Sequence, residues 1–190
     1  MPIVLYLGGN LKEYEKKSEE IILRHIRKGR IRCEQCLRPM ARHSSYTRGI
    51  KETEEKIEIT MVWCSKCRVW HALLPDFLLP NKHYSGNEIE GVIIDSATEP
   101  ALLIETAASE STVRRWINQI GERIRQAVGI LKLLFGRGGQ AVSEIVIEPG
   151  PPYNELEQVL EVATNEVKCC GNRLGTANIW LGTTGLPAFI

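Results

Sequence analysis

The sequence predicts an α+β chain in which a long β-hairpin is followed by an all-α bundle. Three observations carry that class. Two Cys-x-x-Cys pairs, Cys33/Cys36 and Cys64/Cys67, bracket 27 residues. Within that interval Ile57, Ile59, Met61 and Trp63 recur at every second position, with polar Glu58 and Thr60 between the first three, the period of a half-buried strand. Beyond it, Val113, Trp116, Ile117, Ile120, Ile124, Val128, Leu131 and Leu134 recur at helical spacing.

The elements follow in order. Residues 3–7 are apolar but too short to be more than a strand or extended segment. Residues 11–28 read as an amphipathic helix, with Leu11, Tyr14, Ile21, Ile22 and Ile26 on one face, charged residues on the other, and Gly29 as its stop. Residues 42–50 and 56–63 pair across a charged turn, 51–55, and residues 69–74 add a strand closed by Pro75. Between Pro75 and Pro80, Phe77, Leu78 and Leu79 predict an ordered connector.

Three helices are expected next. Ser85-Gly86-Asn87-Glu88 has the form of a capping box and opens the first. Pro100 suits the first turn of a second, reaching Ala107. Ser109 caps a third that runs on despite Gly121 and Gly129 and ends at the glycines after Leu134. Residues 141–147 read as a strand and 154–168 as a helix. The last twenty residues carry no readable pattern. The expected division is 1–30, an N-terminal strand and helix; 31–80, the hairpin module and connector; 81–137, the helical domain; and 138–190, an acidic, weakly patterned tail.

Hydrophobic content of 43% and charged content of 25% are those of an ordinary globular protein, and the net charge is only +1. That total hides segregation. From Arg24 to Lys51 there are nine Lys/Arg against Glu34 alone, and from Arg114 to Arg137 six against Glu122. From Glu144 to Glu166 there are six acids and no Lys or Arg. The basic stretches coincide with the cysteine module and the third helix. No apolar run approaches the roughly 18 residues that span a bilayer, so no membrane association is expected. With no export signal, the expected location is the cytoplasm, at the nucleoid.

In a reducing compartment, paired CxxC motifs hold metal more often than they form disulfides. A tetrahedral Zn²⁺ takes four thiolates, and each short spacing lets one knuckle present two sulfurs. Cys33, Cys36, Cys64 and Cys67 therefore read as a zinc ribbon whose structural Zn²⁺ staples the hairpin. A redox role lacks a βαβ setting. A catalytic ion would need an open coordination position, which four thiolates leave no room for, even with His43 and His71 near. Cys169 and Cys170 read as reduced bystanders. Arg38, Arg42, His43, Tyr46, Arg48 and Lys51 give the ribbon a surface suited to tracking phosphates.

Residues 98–117, TEPALLIETAASESTVRRWI, have the stages of a helix-turn-helix. Leu102, Leu103, Ile104 and Ala107 would supply the apolar face of the helix beneath. Ser109 would make the cap, and Ser111, Thr112, Arg114, Arg115 and Asn118 would face a major groove while Val113 and Trp116 look inward. Arg reads guanine and Asn reads adenine through paired hydrogen bonds; Ser and Thr suit phosphate contacts near the helix N-terminus.

The stretches RHSSYTRGI, CSKCRVWHALLPDFLLPNKHYSG and STVRRW resemble an uncharacterised bacterial domain family associated with transposons and insertion sequences. The connector HALLPDFLLP with its following tyrosine is the distinctive part. The resemblance covers about 33–134. It implies a zinc ribbon joined to a helix-turn-helix, with Cys33, Cys36, Cys64 and Cys67 as ligands and residues 111–118 as the DNA-reading helix.

The expected function is therefore non-catalytic, sequence-specific binding of double-stranded DNA, in transposition or in transcription regulation, with Arg42 and Arg48 of the ribbon assisting Ser109, Ser111, Thr112, Arg114, Arg115 and Asn118. A transposase or another protein is the candidate protein partner, and residues 11–28 and 123–134 are candidate homodimer helices. Two alternatives stay open: a zinc-ribbon adaptor for another protein, and the DNA-binding part of a transposase. Catalysis by this chain would need carboxylates around Mg²⁺; Glu144, Glu148 and Glu157 stand in the tail, but no nuclease-type fold of five strands fits after Gln140.

Overall fold

The computed structural model describes residues 2–137, 151–163 and 172–183. It holds four strands and five helices among them: β1 (Ile3–Leu5), α1 (Leu11–Arg27), β2 (Ala41–Gly49), β3 (Lys56–Cys64), β4 (Val69–Pro75), α2 (Gly86–Asp95), α3 (Glu110–Arg137), α4 (Pro152–Ala163) and α5 (Arg173–Thr183). The class is α+β, as expected. The predicted strand at 141–147 and the residues Glu144, Glu148, Cys169 and Cys170 lie outside the described residues.

The sheet has the order β1-β4-β3-β2. β2 and β3 form the predicted antiparallel hairpin, Ala41 opposite Trp63 through Gly49 opposite Lys56, with a register shift between Arg42 and Ser44 that leaves His43 as the extra residue. β4 returns antiparallel to β3. The short N-terminal segment becomes β1 by pairing parallel to β4, Ile3 opposite Leu73. Three apolar residues are a weak strand alone, and the open edge of β4 supplies the hydrogen-bond partners.

Asn10 caps α1 by accepting from the Glu13 amide at 3.0 Å, and Gly29, at φ +61°, ends it by donating to the Ile26 carbonyl. α1 packs Tyr14 and Ile22 into a core shared with Val4, Leu7, Ile57, Ile59, Val62, Leu73 and Phe77. The N-terminal segment and the hairpin module thus share one hydrophobic core. A second core holds Ile89 and Val92 of α2, Val113, Trp116, Ile120, Ile124 and Leu131 of α3, Leu156 and Val159 of α4, and Leu174 and Leu181 of α5. The connector bridges them: Phe77 and Leu78 enter the first core and Leu79 the second.

The capping box at Ser85 forms only on one side. Ser85 Oγ accepts from the Glu88 amide at 3.2 Å, but the Ser85 amide donates to Glu52 Oε1 of the hairpin turn at 2.7 Å. Glu88 is turned elsewhere, accepting from Thr106 Oγ1 at 2.5 Å and the Ala107 amide at 2.9 Å.

That carboxylate explains the main correction. Residues 100–107 are not a helix. They make one turn, in which the Leu103 amide donates to the Pro100 carbonyl, and then run irregularly to α3. Pro100 lacks an amide, Ile104 and Thr106 are β-branched, and Glu88 binds the Thr106–Ala107 backbone in a non-helical form. Ile104 is buried, but Leu102 and Leu103 are 70% and 66% exposed, so the apolar face assigned to them does not exist. The helix that packs beneath α3 is α2, reached across residues 96–109 rather than a tight turn.

Two C-terminal helices complete the second core. α4 matches the expected helix, with Leu156, Val159 and Leu160 inward. α5 was not legible. Glu90 of α2 fastens both: its carboxylate accepts from Tyr153 Oη at 2.5 Å and from the amides of Arg173 and Leu174 at 2.6 and 3.1 Å. Burial raises its pKa above the usual carboxylate value, against the pull of those donors. Among the described residues, no helix is long and apolar enough to cross a membrane.

Candidate metal centre and basic helix face

The two cysteine knuckles fold alike. In the first, the Leu37 amide donates to the Cys33 carbonyl at 2.8 Å; in the second, the Arg68 amide donates to the Cys64 carbonyl at 2.8 Å. Leu37 and Arg68 both adopt the left-handed conformation, φ +58° and +56°, which turns the chain so that both sulfurs of a pair face one point. The hairpin then returns the second knuckle to the first. Sγ atoms of Cys33, Cys36, Cys64 and Cys67 all lie within 4.8 Å of one another.

Tetrahedral thiolates at the usual metal–sulfur distance stand about 3.8 Å apart, and Cys36 Sγ lies 3.5 Å from Cys64 Sγ. The four cysteines are unbridged, with Cys33 and Cys64 buried and the other two partly exposed. They can hold a metal ion, and their number fills a tetrahedron. The cluster contains neither His43 nor His71.

Crowding separates the thiols electrostatically. The Cys67 amide, 3.5 Å away, and the neighbouring thiols bring Cys64 down to about 7, while donation to Cys36 and burial push Cys67 up to about 12. A thiolate is thus favoured at Cys64 and disfavoured at Cys67. A cation held by the four sulfurs would favour the thiolate at each of them.

The second feature is the N-terminal half of α3. Ser111, Arg114, Arg115 and Asn118 are exposed, Thr112 is half-buried, and Val113 and Trp116 are fully buried, the orientation expected from the sequence. Ser109 sits just before the helix, its Oγ 3.0 Å from Thr112 Oγ1. Arg114 is held by Glu110 through two contacts of 2.9 and 2.6 Å. That pair is exposed and worth little, so Arg114 can exchange it for another anion at small cost. Asn118 faces a separate cleft, between α3 and the start of α4.

The hairpin arginines do not join this surface. Arg42 lies at the cysteine end of the hairpin, paired with Glu19 of α1 at 2.8 Å, roughly 30 Å of strand from the turn near α3. Arg48 is buried. Its guanidinium donates to the carbonyls of Leu79 and Lys82, holding the connector against the hairpin, so it is a fold clamp and not a phosphate contact. The Lys51 amide adds a bond to the His83 carbonyl at 2.8 Å.

These bonds place Lys82 and His83 of the connector beside Arg115, residues the sequence reading left unassigned. They border a cleft of about 410 Å³ with Lys51, Tyr84 and Gln119. The run Asn81-Lys82-His83 was visible in the sequence, but only the Arg48 clamp shows where it points.

No curated protein and no solved structure matches the chain. Residues 33–116 match a family described as a domain of unknown function (DUF6431), a span that begins at the first cysteine of the cluster, takes in the hairpin, the connector and α2, and ends at Trp116 of α3.

Proposed function

We propose that the protein is a non-catalytic, sequence-specific binder of double-stranded DNA, stapled by a structural Zn²⁺ at Cys33, Cys36, Cys64 and Cys67. The observation that carries this reading is the presentation of α3. Its first two turns offer Ser111, Arg114 and Arg115 to solvent, with Asn118 exposed on the third, while Val113 and Trp116 fix the helix in the core. Those side chains have the chemistry of base-edge and phosphate contacts, and the helix N-terminus adds a positive dipole end. Four thiolates suit Zn²⁺ and leave no open position for substrate, which supports a structural role. A transposon end or a promoter is the class of site we propose.

The test is selection from a random duplex pool with zinc-loaded protein, beside an Arg114→Ala/Arg115→Ala variant. A motif that appears with the native chain and vanishes with the variant is expected. No enrichment from folded, zinc-bound protein would overturn the proposal.

A different observation favours the adaptor reading. Leu102 and Leu103 project from the turn between α2 and α3, and Trp70 and Tyr46 are 44% and 42% exposed on the sheet. If Arg114 and Arg115 can be replaced without loss while Leu102→Ser/Leu103→Ser abolishes association with another protein, that reading prevails.

A further inference from the structure

Three separate chain segments converge on the cleft beside α3: the hairpin turn, through Lys51; the connector, through Asn81, Lys82 and His83; and the second turn of α3, through Arg115. Among the described residues, no carboxylate lines it. Among the described residues, ion pairs are recorded for Arg24, Arg42, Arg114, Arg125 and Arg173, and for none of the cleft's basic groups. The neighbouring acid, Glu52 of the hairpin turn, does not line the cleft and is bonded to the Ser85 amide, so the cleft's cations stand together without an ion-pair partner among the described residues.

The cleft is also built. Tyr84 packs edge-on against Trp116, with ring centroids 4.9 Å apart, forming an aromatic floor. Lys51 Nζ lies 5.6 Å from the Tyr84 ring centroid. Asn81 holds the left-handed conformation, φ +59°, and Arg48 grips the Lys82 carbonyl, so the backbone that carries Lys82 is fixed. Lys82 is half-buried, and burial, then the positive charges of Arg123 and Arg115, lower its pKa. An anion in the cleft would relieve all three.

We propose that this cleft is a phosphate-binding site in which Lys51, Lys82 and Arg115 grip one backbone phosphodiester of the bound duplex, with Thr112 Oγ1 as a hydroxyl donor. The proposal rests on the DNA-binding reading and adds Lys82, with its convergence on Lys51 and Arg115, which the sequence did not indicate. A phosphodiester fits because it is a compact anion with two free oxygens, which Arg can take in a paired contact and Lys as a point charge. The phosphate would lie beside the first turns of α3, so gripping it would set how deep that helix sits in the groove. The ribbon's hairpin turn and the helical bundle would then act on DNA together.

The experiment measures binding of the zinc-loaded full chain to duplexes of selected and random sequence by fluorescence anisotropy, from 50 to 300 mM salt. Native protein is compared with Lys82→Gln, Lys51→Gln and, as a control for bulk charge, Arg24→Gln on the far α1. Each cleft variant is expected to lose about tenfold in affinity on both duplexes alike and to lower the salt slope by about 1. Arg24→Gln is expected to change neither. In parallel, backbone amide shifts of Lys51 and residues 81–84 are followed during titration with inorganic pyrophosphate, expected to saturate in native protein and fade in Arg115→Gln.

If the native chain binds duplex and the cleft variants match it in affinity and slope, the phosphate site is wrong and the DNA reading stands. If native protein binds no duplex but pyrophosphate saturates the cleft, the DNA reading is wrong, and the site takes a free phosphorylated ligand rather than a backbone phosphodiester. Absence of both responses overturns the proposal outright.

Discussion

At the scale of single residues, a few groups hold conformations or partners that composition alone would not favour. Leu37 and Arg68 both turn a knuckle in the left-handed region, which costs a non-glycine residue about 1 kcal/mol or more. Leu37 is 67% exposed, so little packing is lost with its side chain. Leu37→Gly is therefore expected to raise stability by up to about 1 kcal/mol in urea denaturation of metal-loaded protein. A loss of stability would mean that the side chain has a packing role. Glu90 is the opposite case, a buried carboxylate satisfied by three donors. Both α5 amides donate to one carboxylate oxygen and Tyr153 to the other, so Glu90→Gln keeps the amides only by presenting its NH2 to the Tyr153 hydroxyl, which must turn to accept, and every bond becomes a neutral one. The expected cost is about 1–3 kcal/mol, and faster hydrogen exchange at Arg173 and Leu174 would locate it.

Secondary-structure elements show a different balance. α3 runs 28 residues through Gly121 and Gly129, because its apolar stripe of Trp116, Ile120, Ile124 and Leu131 is buried along nearly its whole length. Packing overrides the propensity penalty. A Cβ at either glycine would meet nothing within 4 Å. The double variant Gly121→Ala/Gly129→Ala should therefore stabilise the protein by about 1–2 kcal/mol. An unchanged thermal midpoint would imply that the helix is already frayed or bent there. Gly175 is the contrast: a Cβ there would collide with the Asp76 carbonyl, so Gly175→Ala must push α5 off the connector. We expect a clear loss of thermal stability, localised by exchange to α5 and the connector.

For the molecule as a whole, two cores share one connector, and the cysteine cluster lies at the hairpin end away from α3. Without a metal ion the four crowded sulfurs lose the cation that would hold them together, and Cys67 in particular is pushed towards its protonated form. A chelator is expected to lower the thermal midpoint, with exchange protection lost first in β2, β3 and β4 and later in α3. Acidification should release metal by protonating the thiolates, so affinity falls as pH drops. If chelation leaves the midpoint unchanged, the cluster is not a staple. Elemental analysis of protein purified without added metal identifies the ion.

Local chemistry determined much of this protein on its own. The four cysteines, the hairpin they bracket, the helix over residues 11–28 with its Gly29 stop and the buried stripe of α3 each follow from spacing or period, because their causes lie within a few residues. What tertiary structure decided involves partners far apart in the chain. β1 exists because β4 offers an edge, and residues 100–107 leave the helix because Glu88 claims their backbone. Arg48, basic and in an exposed-looking strand, turns inward because the connector's carbonyls need a donor. The same clamp gathers Lys82 beside Arg115, a juxtaposition that no local pattern records, since electrostatics and close packing act on distance in space rather than along the chain.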